Sequence, residues 1–150
     1  IQVLTTDGTG AVTWKDLSGR YGAMYWVGNV TTTVANTTTV KVAGTSTACL
    51  LSGFTSVVDN RLLYTGINAV FKLDVSFSCH MSSGTTYIAE FYIYKNGNPI
   101  TKAKTTMTLD ITNPQIGSIN ILESLVTNDY IELWIQNNVG SNTYIVGDLQ

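Results

Sequence analysis

The stretch Asn68-Ala69-Val70-Phe71-Lys72-Leu73-Asp74-Val75-Ser76-Phe77-Ser78 alternates strictly, with Phe71, Leu73, Val75 and Phe77 on one side and Lys72, Asp74, Ser76 and Ser78 on the other. A period of two places successive side chains on opposite faces of an extended chain, so this segment reads as a central β-strand with one face in a core. The alternation returns in residues 86–95, where Tyr87, Ala89, Phe91 and Ile93 oppose Ile88, Glu90, Tyr92 and Tyr94. That run ends at Asn96-Gly97, a strong two-residue hairpin signal, and its partner is 100–110. Strands are expected over 117–125, 130–136 and 143–149, separated by turn chemistry at Asn113-Pro114, Asn128-Asp129 and 137–142.

Working back from the central strand, the runs are shorter and rich in threonine. Residues 21–27, 30–34, 38–42 and 61–64 read as strands, and 49–51 as a fragment of one. Residues 2–6 and 11–15 flank Asp7-Gly8-Thr9-Gly10 and read as a hairpin with too few apolar residues for a core of its own. The expected division is a stem over 1–20 and one head domain over 21–150, with the stem packed on copies of itself or on the head. The chain opens at Ile1 in a strand-like run without an initiator Met, which reads as a piece of a longer polypeptide.

Composition agrees with an all-β reading. Charged residues are 12% of the 150, against about 25% in ordinary globular proteins. Threonine, serine, asparagine and glycine carry the polar share, and the β-branched threonine suits a half-exposed pleat, so helix is expected to be nearly absent. A net charge of −2 with scattered Lys and Arg offers no surface for nucleic acid. No apolar run approaches the ~20 residues of a membrane-crossing helix, so membrane insertion is not expected. Cys49 and Cys79 are too few for a disulfide framework or a zinc site; they read as buried thiols or as one bridge between neighbouring strands.

Catalytic constellations are weak. Cys79 and His80 are adjacent in a strand, so their side chains diverge and do not share a proton. Glu90 and Glu132 are the carboxylates to weigh for glycoside hydrolysis, but both are expected on a solvent-facing sheet surface, where no cleft raises a pKa. Asp59, Asp74, Asp110 and Asp129 lie near strand ends with no calcium-loop spacing and read as turn formers. No catalytic residue, metal or cofactor is expected.

The glycine-led strand Gly66-Ile67-Asn68-Ala69-Val70-Phe71-Lys72-Leu73-Asp74-Val75-Ser76-Phe77 resembles one of the C1q-like and tumour-necrosis-factor-like jelly rolls. The C-terminal half continues the likeness: Lys95-Asn96-Gly97-Asn98-Pro99, Gly117-Ser118-Ile119, Asn128-Asp129-Tyr130-Ile131-Glu132-Leu133-Trp134 and Tyr144-Ile145-Val146-Gly147-Asp148-Leu149 follow that family's strand layout over about residues 61–150. The stem, Gln2-Val3-Leu4-Thr5-Thr6-Asp7-Gly8-Thr9-Gly10-Ala11-Val12-Thr13-Trp14, resembles a linker that recurs in bacteriophage fibre proteins ahead of a C-terminal head. Together the resemblances imply an all-β, antiparallel jelly-roll β-sandwich behind a short β-hairpin stem, assembled as a homotrimer. They further imply a non-enzymatic head on a virion surface that binds a host cell-surface glycan or protein. The alternatives are a purely structural trimerisation or capping domain, or a secreted complement-like or TNF-like binding domain, to which the acceptor triplets Asn29-Val30-Thr31 and Asn36-Thr37-Thr38 lend faint support.

Two surfaces follow from this layout. Alternate loops of consecutive antiparallel strands share an end, which groups 80–85, 111–115 and 137–142 at one end and 96–99 and 126–129 at the other. A stem entering at the second end leaves the first group distal, so Ser82, Asn113, Gln115, Asn138 and Asn142 are the expected receptor contacts. Tyr92, Tyr94, Tyr130 and Trp134 face outward on strands that are neighbours in the resembling fold. They read either as an aromatic platform for a sugar or protein, or as packing against the neighbouring protomer or the stem.

Overall fold

The computed structural model describes residues 2–6, 9, 12–16, 19–57, 60–84 and 86–149, and within them the side chains outside 2–6, 12–16, 26–27, 48–50, 56–57 and 148–149. The strands are β1 (Gln2–Thr6), β2 (Val12–Asp16), β3 (Tyr21–Val34), β4 (Thr39–Lys41), β5 (Thr47–Ser52), β6 (Phe54–Val57), β7 (Arg61–Tyr64), β8 (Ala69–Met81), β9 (Tyr87–Lys95), β10 (Asn98–Leu109), β11 (Gln115–Leu125), β12 (Tyr130–Asn137) and β13 (Asn142–Leu149). Among the described residues there is no helix.

β1 and β2 pair with each other, Leu4 opposite Trp14. The other strands form two antiparallel sheets. One has the order β11-β8-β13-β3-β5, the other β10-β9-β12-β7-β6, with β4 also paired to β12. β4 and β7 share one edge of β12 end to end: Val40 lies opposite Ile135, and Leu62 opposite Ile131. From β8 onward the chain changes sheet at every connection except the β9–β10 hairpin. That alternation makes the fold an antiparallel jelly-roll sandwich.

The core is the sum of the inward-facing positions. Phe77, Cys79 and Met81 of β8 meet Ala89, Phe91 and Ile93 of β9 and Ile131, Leu133 and Ile135 of β12, all buried. Phe71 and Phe77 lie on the same flank of β8: Phe71 packs edge-on against Phe54 and Tyr64 at 5.0 Å, and Phe77 touches Phe91 at 4.4 Å. These aromatic contacts bridge the two sheets, where a ring pair contributes beyond the area it buries.

Several boundaries differ from the sequence expectation, each for a local reason. The runs 21–27 and 30–34 form one strand, because β3 takes up its extra residue as a bulge at Gly28 (φ 92°) and keeps its pairing to β13. The fragment at 49–51 belongs to the longer β5. β6 was not expected: Gly53, at φ 73°, turns the chain so that Phe54 enters the second sheet. β8 runs three residues past Ser78, and the hairpin at Asn96 and Gly97 has positive φ at both positions, 53° and 75°, as a tight two-residue turn requires. Cys79 is a buried free thiol, so it is not bridged to Cys49. Asp59, and the packing of the stem's side chains, lie outside the described residues.

Candidate functional site

Register groups the loops. Met81 N–H donates to Asp110 O at 2.8 Å and Ser82 N–H to Thr143 O at 3.0 Å, while Gln115 lies opposite Cys79 and Asn142 opposite Val34. The connections β8–β9, β10–β11 and β12–β13 therefore meet at one end of the sandwich. β3 and β13 are antiparallel, so Tyr21 and Leu149 sit at the opposite end.

The five expected loop residues are brought together there, but most of their polar groups serve the loops themselves. Asn142 Nδ2 donates to Val139 O at 2.8 Å, Gln136 Nε2 donates to Asn138 Oδ1 at 3.1 Å, and Gln115 Nε2 reaches Asn113 O at 3.5 Å. Ser82 and Asn113 are exposed. The loop's organiser is Asn137, which the sequence reading missed. Its side chain is buried, donates to Gly140 O at 2.5 Å and accepts from Val139 N–H at 3.2 Å. An Asn followed three residues later by Gly is an Asx-turn pattern and carried that signal. Asp110 is a turn former of the same kind: its Oδ1 accepts from Asn113 N–H and Thr112 N–H at 2.7 Å each, and these bonds hold its carboxyl below the usual range.

On the outer face of the second sheet, β9 and β12 are neighbours, with Trp134 opposite Tyr92 and Glu132 opposite Tyr94. Tyr94 and Trp134 stack at 4.4 Å with planes 14° apart, and Tyr92 meets Tyr94 edge-on at 6.4 Å. Tyr130 stands apart from this stack, under the Arg61 guanidinium at 3.9 Å. All four rings are half-buried.

Glu132 corrects the expectation of a solvent-facing carboxylate. It lies on the outer face, yet its side chain is 2% exposed, covered by what binds it. Arg61 Nε and Nη2 reach Oε1 at 3.0 Å, Lys41 Nζ reaches Oε1 at 3.5 Å, and Trp134 Nε1–H donates to Oε2 at 3.1 Å. Glu90 accepts from Lys104 Nζ at 2.8 Å and from the Tyr92 hydroxyl at 2.7 Å. Lys104 first and Tyr92 second hold the Glu90 carboxyl below its ordinary value, the opposite of what a general acid needs. Glu132 is opposite Tyr94, four positions along β9 from Glu90. At roughly 3.3 Å per residue that is ~13 Å, beyond the ~5–9.5 Å span of a glycosidase pair.

Cys79 points into the core and His80 sits on the outer face of the first sheet, so the two diverge. Burial pushes the Cys79 thiol up to about 12. Asp74 pairs with Lys72 at 2.9 Å, and Asp129 is buried in the β11–β12 turn. Among the described residues no three His, Cys, Asp or Glu side chains converge on a point where a metal would sit.

No protein-family model matches the chain, and a search of curated proteins returned no match. Solved structures do align with the chain. The PRD1 vertex protein P5 aligns with a TM-score of 0.54 at 10% identity, over 88% of this chain and 96% of its own. Murine APRIL at pH 5.0 aligns at 0.49 and 9% identity, over 80% and 99%. The CBM22-1 xylan-binding domain of Paenibacillus barcinonensis Xyn10C aligns at 0.44 and 8%, over 89% and 96%. At such identities the likeness concerns fold alone, and the vertex protein's score is high enough to support the jelly roll already traced strand by strand.

Proposed function

We propose that the chain is a non-enzymatic head domain over 21–150, held on a virion surface by its 1–20 stem, trimeric, and attaching to a host cell-surface glycan or protein through its distal loops. The observation that carries this reading is polarity of the sandwich: chain entry at Tyr21 and exit at Leu149 share one end, and the β8–β9, β10–β11 and β12–β13 loops share the other. A domain tethered at one end presents the other, and loops on a rigid scaffold are where recognition concentrates. The fold likeness to a PRD1 vertex protein is in keeping with a place at a virion surface.

Self-association is supported by the outer face of the first sheet. Ile116 opposite Ser78, Leu122 opposite Lys72 and Val70 opposite Ser124 stand on that face at 85%, 69% and 67% exposure. The charges beside them, Lys72 and Asp74, pair with each other. Large apolar side chains this exposed on a neutral face suit burial against another copy.

The test combines sedimentation equilibrium with cell binding. The full chain is expected at three times its 16.3 kDa mass, and Ile116→Lys with Leu122→Lys to release protomers. The fluorescently labelled chain is expected to bind a bacterial strain from a broad panel, with loss in a Ser82→Ala, Asn113→Ala, Asn138→Ala triple variant. Unchanged binding in that variant sinks the loop assignment. It would favour a structural capping domain, a reading to which the inward-turned bonds of Asn138 and Asn142 already lend weight.

A further inference from the structure

The outer face of the second sheet separates its charges by depth. Among the described residues its two carboxylates are covered, Glu132 at 2% and Glu90 at 17% exposure, while the cations that hold them are not: Lys41 is at 25%, Arg61 at 35% and Lys104 at 45%. Solvent therefore meets ammonium and guanidinium groups at the rim of the Tyr92, Tyr94, Trp134 and Tyr130 rings, although the chain as a whole carries −2. Lysine has three N–H donors and arginine five, so donors remain after the carboxylates are served. The rings are also fixed in advance: Trp134 by its N–H bond to Glu132 and its stack on Tyr94, Tyr92 by its bond to Glu90, Tyr130 by Arg61. Fixing side chains before a ligand arrives lowers the entropy lost on binding. Along β12 the face runs from Gln136, opposite Glu90, to Tyr130, opposite Leu63, six positions or roughly 20 Å.

We infer that this face is a binding track for a linear acidic glycan, with sugar faces against the Tyr94–Trp134 stack and Tyr92, and sugar carboxylates on Lys104 and Arg61. The inference rests on the proposed function and names the chemistry of a second contact within it. Rings beside polar groups suit a sugar, which is apolar on its ring faces and polar at its edges. A protein partner would want an apolar centre depleted of lysine, and the exposed Ile116, Leu122 and Val70 that fit such a centre lie on the other sheet. Nucleic acid would want a denser run of cations than this face offers.

The test is a printed panel of carboxylated and neutral bacterial capsular polysaccharides, with oligo-dT as a second polyanion, probed with the full chain. Binding to carboxylated polymers and not to neutral ones is expected, lost when the bound polymer is carboxyl-reduced and weakened by salt. Lys104→Glu and Trp134→Ala are each expected to lower affinity by about tenfold or more, the scale of a central contact in a binding site. Lys104→Glu also sets a second carboxylate beside Glu90, and Trp134→Ala removes a donor to Glu132, so thermal melts check both variants, and Lys104→Gln, which adds no like charge, is expected to weaken binding in the same direction. Equal binding of neutral polymers, preference for oligo-dT, wild-type affinity in both variants, or no polysaccharide bound at all each overturns the inference. If cells are still bound through the distal loops in those cases, the track is wrong and the head's role in attachment stands. Carboxylated polymers bound at the track by a chain that binds no cell would mean the opposite: the track stands and the attachment role falls.

Discussion

Asn96 donates its side-chain amide to Asp129 Oδ1 at 2.6 Å, which ties the β9–β10 turn to the β11–β12 turn across 33 residues of sequence. The bond is part of a clasp: Asn96 Oδ1 accepts from Tyr130 N–H at 3.0 Å, and Asp129 Oδ2 accepts from Val126 N–H at 2.9 Å. Both turns sit at the Tyr21 end of the sandwich, beside the Tyr130 end of the aromatic face.

Breaking the clasp has a separable cost. Asp129→Ala removes the acceptor of the Val126 N–H and the Asn96 amide; both donors are exposed to water, so each lost bond costs about 0.5–1.5 kcal/mol net. Asn96 also holds φ at 53°, where alanine is strained and glycine is not. Urea denaturation should rank Asn96→Ala as more destabilising than Asn96→Gly. The Asp129→Ala, Asn96→Gly double variant should lose less than the sum of the two, because they share one bond. Strict additivity would show the clasp to be geometric coincidence.

Gly117 is fixed by packing rather than by backbone conformation. It lies opposite Phe77 in the β11–β8 ladder, and a Cβ added there would come within 2.5 Å of Phe77 Cζ and 2.7 Å of Met107 Sδ. Gly117→Ala is expected to cost about 1–3 kcal/mol by overpacking, read as a fall in the denaturation midpoint at constant slope. Gly140→Ala makes the control: it meets no atom, and only its φ of 63° opposes it.

Acid should weaken the fold through Glu90 and Asp110. Both carboxyls titrate below their ordinary values of 4.5 and 3.8, Glu90 chiefly through Lys104 and Asp110 through the Asn113 and Thr112 N–H groups. A depressed folded-state value means that the contribution is complete above the ordinary value and is lost as pH falls through the folded one. The urea midpoint should hold from pH 7 to about pH 5 and decline below about 4.5. Glu90→Gln should lower stability at pH 7 and flatten part of that decline. An acid limb identical in Glu90→Gln and the parent chain would remove Glu90 from the account.

What the sequence carried and what it withheld divide along a physical line. Alternation in 68–78 and 86–95 located Phe71, Phe77, Phe91 and Ile93 in the core, because a period of two is a local property of an extended chain. Asn96-Gly97 gave its turn for the same reason. The burial of Glu132 was not legible, since its cover arrives from β4 and β7: Lys41 and Arg61 lie 91 and 71 residues away along the chain. The continuity of β3 through Gly28 was hidden for a related reason. Locally Gly-Asn reads as a break, and it is the pairing with β13, more than a hundred residues later, that carries the strand across. The aromatic set was legible as a list of outward positions, but that Tyr94 and Trp134 stack while Tyr130 joins Arg61 depends on register between strands.

Cys79 gives a direct readout of the closed core. Its thiol is buried, on a strand flanked by β11 and β13, and pushed up to about 12 by desolvation, so at pH 8 it is held as the unreactive thiol. In a Cys49→Ser background, iodoacetamide at pH 8 should leave the folded chain unmodified and label it stoichiometrically in denaturing urea. Labelling in native buffer should then track the population of opened molecules, rising in Gly117→Ala by the same factor as its loss of stability. The Gly117 position adjoins Phe77, two residues before Cys79 on the inward face of β8, so a disturbance there reaches the thiol directly. Rapid labelling of the parent chain under native conditions would mean that the two sheets do not close over β8 as described.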